Sequence, residues 1–160
     1  MAEQNDNGAA QPQQQFAIQR LYLKDLSFEA PNTPQVFVGE WKPESNIELN
    51  TSATPLGEEN YEVVVSITVT TKVGEKTAYL VEVQQAGIFT LTGFSDADRE
   101  AMLGSYCPNV LFPYVREVVS NLVAKGSFPQ LVLQPINFDA LYAQHLEKRQ
   151  QEGAEPAAQQ

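Results

Sequence analysis

Between Lys76 and Leu91 the chain reads Lys-Thr-Ala-Tyr-Leu-Val-Glu-Val-Gln-Gln-Ala-Gly-Ile-Phe-Thr-Leu. This alternation has period two, the spacing of a strand whose successive side chains leave opposite faces. Tyr79, Val81, Val83, Phe89 and Leu91 fall on one face and call for burial. Ala78, Leu80, Glu82, Gln84 and Ala86 fall on the other, a polar face with one large apolar residue beside a carboxylate. Such a strand needs a sheet with one dry face, and leaves an acidic, partly apolar face for partners.

The residues before it supply the rest of that sheet. Tyr61, Val63, Val65, Ile67 and Val69 alternate against Glu62, Val64, Ser66, Thr68 and Thr70, and Val73-Gly74-Glu75-Lys76 turns the two strands into a hairpin. Gly87 marks a bulge or a close backbone approach. A first strand is expected over Phe16 to Ala30, with Ile18, Tyr22, Leu26 and Phe28 on one face. Gln19, Leu21, Leu23, Asp25, Ser27 and Glu29 take the other. Asp25 and Glu29 would lie roughly 13 Å apart, too far for a catalytic carboxylate dyad. A short strand over Ile47 to Thr54 completes a set of four. The crossover 31–46 is rich in proline and carries Val36, Phe37, Val38 and Trp41, which must either pack on the body or line a groove.

Helices follow. Ser95 caps a helix from Asp96 to Leu103, with Asp98 in its first turn. Tyr106-Cys107-Pro108-Asn109 reads as a turn. A longer helix then runs to Lys125 and stops at Gly126. Its stripe of Leu111, Val115, Val118, Val119 and Leu122 suits either the core or a subunit interface. Pro113 would be tolerated in the first turn. Residues 128–135 read as an extended link, and Asn137 caps a last helix, with Ile136 and Leu141 as a staple, fraying near Gln150. Four strands followed by helices give an α+β domain, a four-stranded antiparallel sheet with helices packed on one face. The expected organisation is a disordered arm over 1–15, the domain over 16–149 and a flexible tail over 150–160.

Charge and motifs narrow the function. Twenty acidic against 10 basic residues, a net charge of −10, exclude nucleic acid as a favoured partner and point to basic proteins or unfolded chains. One cysteine, Cys107, permits no internal disulfide and suits a reducing cytoplasm. No signal peptide and no membrane span are expected. Phosphate-binding glycine loops and a nucleophile elbow are absent, and the lone His145 and lone Cys107 cannot make a structural zinc site. His145 reads as a solvated surface histidine and Cys107 as a buried, quiet thiol. An enzyme is not expected.

Several blocks are familiar. Ile18-Gln19-Arg20-Leu21-Tyr22-Leu23-Lys24-Asp25-Leu26-Ser27-Phe28-Glu29-Ala30-Pro31-Asn32 resembles the opening strand of the bacterial export-chaperone family SecB. Val81 to Phe89, Tyr106 to Tyr114, Phe128 to Leu131 and Pro135 to Leu141 resemble further signatures of that family, in the right order across about residues 16–148. The resemblance implies a cytoplasmic homotetramer, a dimer of dimers, that uses no ATP, metal or other cofactor. It would hold secretory precursors unfolded and deliver them to SecA, the motor of the Sec translocase. It assigns docking of the basic zinc-binding tail of SecA to Asp25, Glu29, Leu80 and Glu82. Substrate grooves would be lined by Phe37, Trp41, Ile47, Leu49, Tyr79 and Leu146, and the longer helix would lie between dimers. The chain departs from the family pattern at Val81 and around Val38-Gly39-Glu40, which touches the grooves and not the docking face. The alternatives are a chaperone of the same fold dedicated to one client, of the toxin–antitoxin type, and a small α+β enzyme or ligand-binding domain with an acid in a cavity, using Asp25 or Glu82. An enclosed Glu82 would favour the latter, and loss of function limited to one client the former.

Overall fold

The computed structural model describes residues 13–154. Most of the expected arm and residues 155–160 of the expected tail therefore lie outside the described residues. Four antiparallel strands, β1 (Gln15–Glu29), β2 (Pro43–Gly57), β3 (Asn60–Val73) and β4 (Lys76–Thr92), form one sheet in the order β1-β4-β3-β2. The two strands with the strongest alternation take the centre, and the two more polar strands take the edges. Helices α1 (Asp96–Ala101), α2 (Cys107–Lys125) and α3 (Phe138–Ala154) follow. The α+β architecture expected from the sequence is the one observed.

The core lies between α2 and the central hairpin. Val63, Val65, Ile67 and Val69 of β3 and Val81, Val83 and Phe89 of β4 are buried against Leu111, Val115, Val119 and Val123 of α2. Most of the apolar stripe of α2 is thus spent within the chain, with Val118 and Leu122 half-buried at its margin. Gly87 is a close approach rather than a bulge: a Cβ there would meet the Phe89 ring at 2.8 Å and Leu21 at 3.0 Å.

Three local expectations are corrected. The strand β2 is longer than Ile47 to Thr54, because its polar residues are held by pairing with β3 rather than by an alternating pattern; Pro43 and Pro55 are compatible with an edge strand. Residues 106–109 are not a turn. A π-helical turn, Met102–Tyr106, joins α1 to α2 and is closed by the Cys107 N–H donating to Met102 O. This wider turn carries the helix past Pro108, which lacks an N–H and whose ring crowds the preceding turn. Pro113 accordingly lies inside α2, not in its first turn. Finally, α3 continues through residues 150–154 instead of fraying at Gln150. Its expected cap is present, Asn137 Oδ1 accepting from Ala140 N at 3.0 Å. Ser95 caps α1 in the same way, accepting from Asp98 N at 3.2 Å.

Candidate docking face and aromatic cluster

Irregularities in β1 decide which residues reach the helix-free face. Its register against β4 shifts between Ile18 and Arg20 and again between Leu23 and Asp25. Each extra residue turns the strand over, because side chains alternate with period two. The two shifts cancel, so Ile18, Leu26 and Phe28 share the helix-side face as expected. The segment between them is inverted. Leu21 and Leu23 join the helix-side face opposite Gly87 and Gln85, and Tyr22 moves to the outer face opposite Ala86, the reverse of the expectation for all three.

Beyond the second shift the register is regular. Asp25 faces Gln84, Ser27 faces Glu82 and Glu29 faces Leu80. Asp25, Glu29, Leu80 and Glu82 therefore form one block on two neighbouring strands, on the face without helices. The three carboxylates are exposed and Leu80 is half-buried among them. Glu82 is not enclosed; its nearest polar partner is the Ser27 hydroxyl, 3.4 Å from Glu82 Oε2. A surface of this kind, with fixed carboxylates around an apolar residue, is suited to a basic, partly apolar segment.

A fourth carboxylate lies on the same face, beyond this block. Glu62 of β3 accepts from Lys24 Nζ at 2.8 Å and from the Tyr22 hydroxyl. The hydrogen bond from Lys24, then that from Tyr22, lowers the Glu62 carboxyl from its usual range. Burial, then the hydrogen bond and charge of Glu62, push the Tyr22 phenol up to about 12. Neither residue was singled out from the sequence, since the strand inversion that brings Tyr22 to Glu62 leaves no mark in residue types.

The expected groove residues separate into groups. Phe37, Trp41 and Tyr79 converge on Phe128, with ring centroids 5.2, 5.7 and 4.9 Å from it. Phe128 was not among the expected lining residues, although an aromatic in a proline-bounded link is the signal that could have found it. Tyr79 is only 2% exposed and forms the floor of this cluster; Phe37 is 49% exposed and forms its open side. Ile47 and Leu49 lie on the helix-side face of β2, opposite Val69 and Ile67. Leu49 lines a cleft of about 740 Å³ between β2 and α3, whose other walls include Leu103, Leu141 and Tyr142. Leu146 is half-buried on α3 and does not line that cleft. Cys107 is fully buried, and burial raises its thiol to about 12.

Among the described residues no group of three or more His, Cys, Asp or Glu side chains is placed to hold a metal, and no helix is long and apolar enough to cross a membrane.

Comparison with known proteins bears on the same chain length. The family model of preprotein translocase subunit SecB matches residues 9–149. A protein-export protein SecB from Alcanivorax borkumensis is 60% identical over 153 residues, covering 94% of this chain and 96% of the relative. The counterpart from Marinobacter nauticus is 55% identical over 150 residues, covering 94% and 91%. Among solved structures, a Mycobacterium tuberculosis SecB-like chaperone in complex with a ChAD peptide from an antitoxin superposes with a TM-score of 0.63 at 16% identity, covering 76% of this chain and 90% of that one; this likeness concerns the fold. With a match across most of its length and relatives above half identity, the chain belongs to the SecB family of protein-export chaperones.

Proposed function

We propose that this protein is an ATP-independent cytoplasmic holdase that keeps secretory precursors unfolded and delivers them to SecA. The observation that carries the proposal is the cross-strand block of Asp25, Glu29 and Glu82 around Leu80. Its carboxylates are exposed, so their attraction for a basic, zinc-binding tail is long-ranged and salt-sensitive. Its strands are held on the other face by the buried core, so the charges are preorganised and little order is lost on docking.

Client binding falls to the apolar surface near the crossover. Phe37 and Trp41 present aromatic area over Phe128 without a fixed set of hydrogen-bond donors, which suits recognition of many unfolded chains. Ile47 and Leu49 add apolar area along β2, Leu49 in the cleft beside α3, whereas Leu146 lines neither that cleft nor the aromatic cluster and is left out of the client surface. Assembly as a dimer of dimers is supported by apolar residues left at the β1 edge, Ile18, Leu23 and Leu26, and by Tyr114 on α2, all more than 40% exposed. Several such surfaces in one tetramer would hold a long client through avidity. Handover then requires competition by the motor and no hydrolysis by the chaperone.

The test is a triple variant, Asp25→Asn, Glu29→Gln and Glu82→Gln. It should lose most of its affinity for SecA while tetramer assembly and precursor capture persist. Wild-type affinity in that variant would remove the docking assignment.

A further inference from the structure

The outer face that carries Asp25, Glu29 and Glu82 also carries a cation in the middle of the sequence block, Lys24, immediately beside Asp25. The second register shift of β1 leaves Lys24 without a partner on β4. Its Nζ reaches across β4 instead and meets Glu62 Oε1 on β3 at 2.8 Å. Glu62 is itself held by the Tyr22 hydroxyl, and its side chain is only 18% exposed. Lys24 is thereby drawn away from the carboxylates that a basic partner would meet.

We infer that Glu62, oriented by Tyr22, is a positioning residue for the docking face: by holding Lys24 it keeps a competing positive charge off the Asp25–Glu82 block. The inference rests on the docking reading above and assigns a role within it to three residues outside the block. An unpaired ammonium about 8 Å from a docked lysine or arginine repels it by about 0.5 kcal/mol in water, a twofold to threefold weakening, and the repulsion fades as salt rises. The same Lys24 would also be free to pair with Asp25 and mask it. Both effects act through Lys24, and both vanish when Lys24 is neutral.

A double-mutant cycle on the full-length protein reads this directly, with the zinc-loaded basic tail peptide of SecA as probe and calorimetry at low salt. Glu62→Gln alone should weaken binding about threefold. In a Lys24→Gln background the same Glu62→Gln change should alter affinity by less than about 1.5-fold. Glu48→Gln, which removes a carboxylate on the same face opposite Thr68 without touching Lys24, should cost less than Glu62→Gln. Equal losses from Glu62→Gln in both backgrounds would overturn the inference, since Glu62 would then contribute only its own charge. Asp25→Asn and Glu82→Gln, measured beside them, separate the two levels: if these leave affinity unchanged, the docking reading has failed; if they weaken it while the cycle shows no coupling, only the role of Glu62 has failed.

Discussion

Glu29 on β1 stands directly across from Leu80 on β4, an exposed carboxylate paired with a half-buried leucine on the helix-free face. The pair fixes the chemistry of the face, because the apolar contact available to a partner is framed by charge on adjacent positions. Leu80→Ala should therefore weaken binding of the SecA tail by about fivefold to tenfold, as loss of a central apolar anchor does. The change in folding stability should stay near about 1 kcal/mol, because the side chain is only partly covered. Calorimetry and urea unfolding of the same sample measure the two effects separately.

Gly87 lies where β1 and β4 press together. A methyl group there meets the Phe89 ring and Leu21, and Phe89 is fully buried. Gly87→Ala should destabilise the fold by about 1–3 kcal/mol through overpacking, read as a lower urea midpoint with an unchanged slope.

The hairpin between β2 and β3 is closed by Glu58 and Glu59, both with left-handed backbone at φ of 52° and 63°. That conformation costs a residue with a Cβ about 1–2 kcal/mol, and glycine adopts it freely. Glu59→Gly should accordingly stabilise the protein by about 0.5–1 kcal/mol, after the added freedom of the unfolded chain is subtracted. A lower midpoint in urea would contradict this.

Tyr22 gives the protein an alkaline signature. Its phenol titrates at 10.0 when unperturbed and about 12 when folded. Between those values the folded state holds more protons, so stability falls as pH rises through the window and is unaffected by this group below it. Glu62 has the opposite sign: its lowered carboxyl supports the fold above the ordinary carboxyl value of 4.5, and that support is lost as pH falls through the folded value. In Glu62→Gln, phenolate absorbance should show the Tyr22 transition moving down toward 10.0. An unmoved transition would mean that burial alone sets it.

The sheet and its site were legible to different degrees. The alternation in β3 and β4, the turn at Val73-Gly74-Glu75-Lys76 and the caps Ser95 and Asn137 are local chemistry, and each stands where the residues indicated. From Asp25 to Glu29 the strand has no irregularity, so spacing alone puts Asp25 and Glu29 on the same outer face; the docking role assigned to them and to Leu80 and Glu82 comes from the family resemblance, not from spacing. The extra residues Gln19 and Lys24 have no such signature, and because of them Leu21, Tyr22 and Leu23 take the faces opposite to those the spacing predicts. Pro108 reads as a helix breaker; only the π turn before it, held with the Tyr142 ring packed on Gly104, lets the helix pass. The aromatic cluster joins positions 37, 41, 79 and 128, and such a meeting of distant segments is a product of the tertiary fold.

The central claim is tested most directly by diluting a secretory precursor from urea into the protein without nucleotide, beside the same precursor already folded. The account predicts capture of the unfolded form alone, in a complex that survives gel filtration and delays folding. Equal binding of both forms, or of neither, would contradict it.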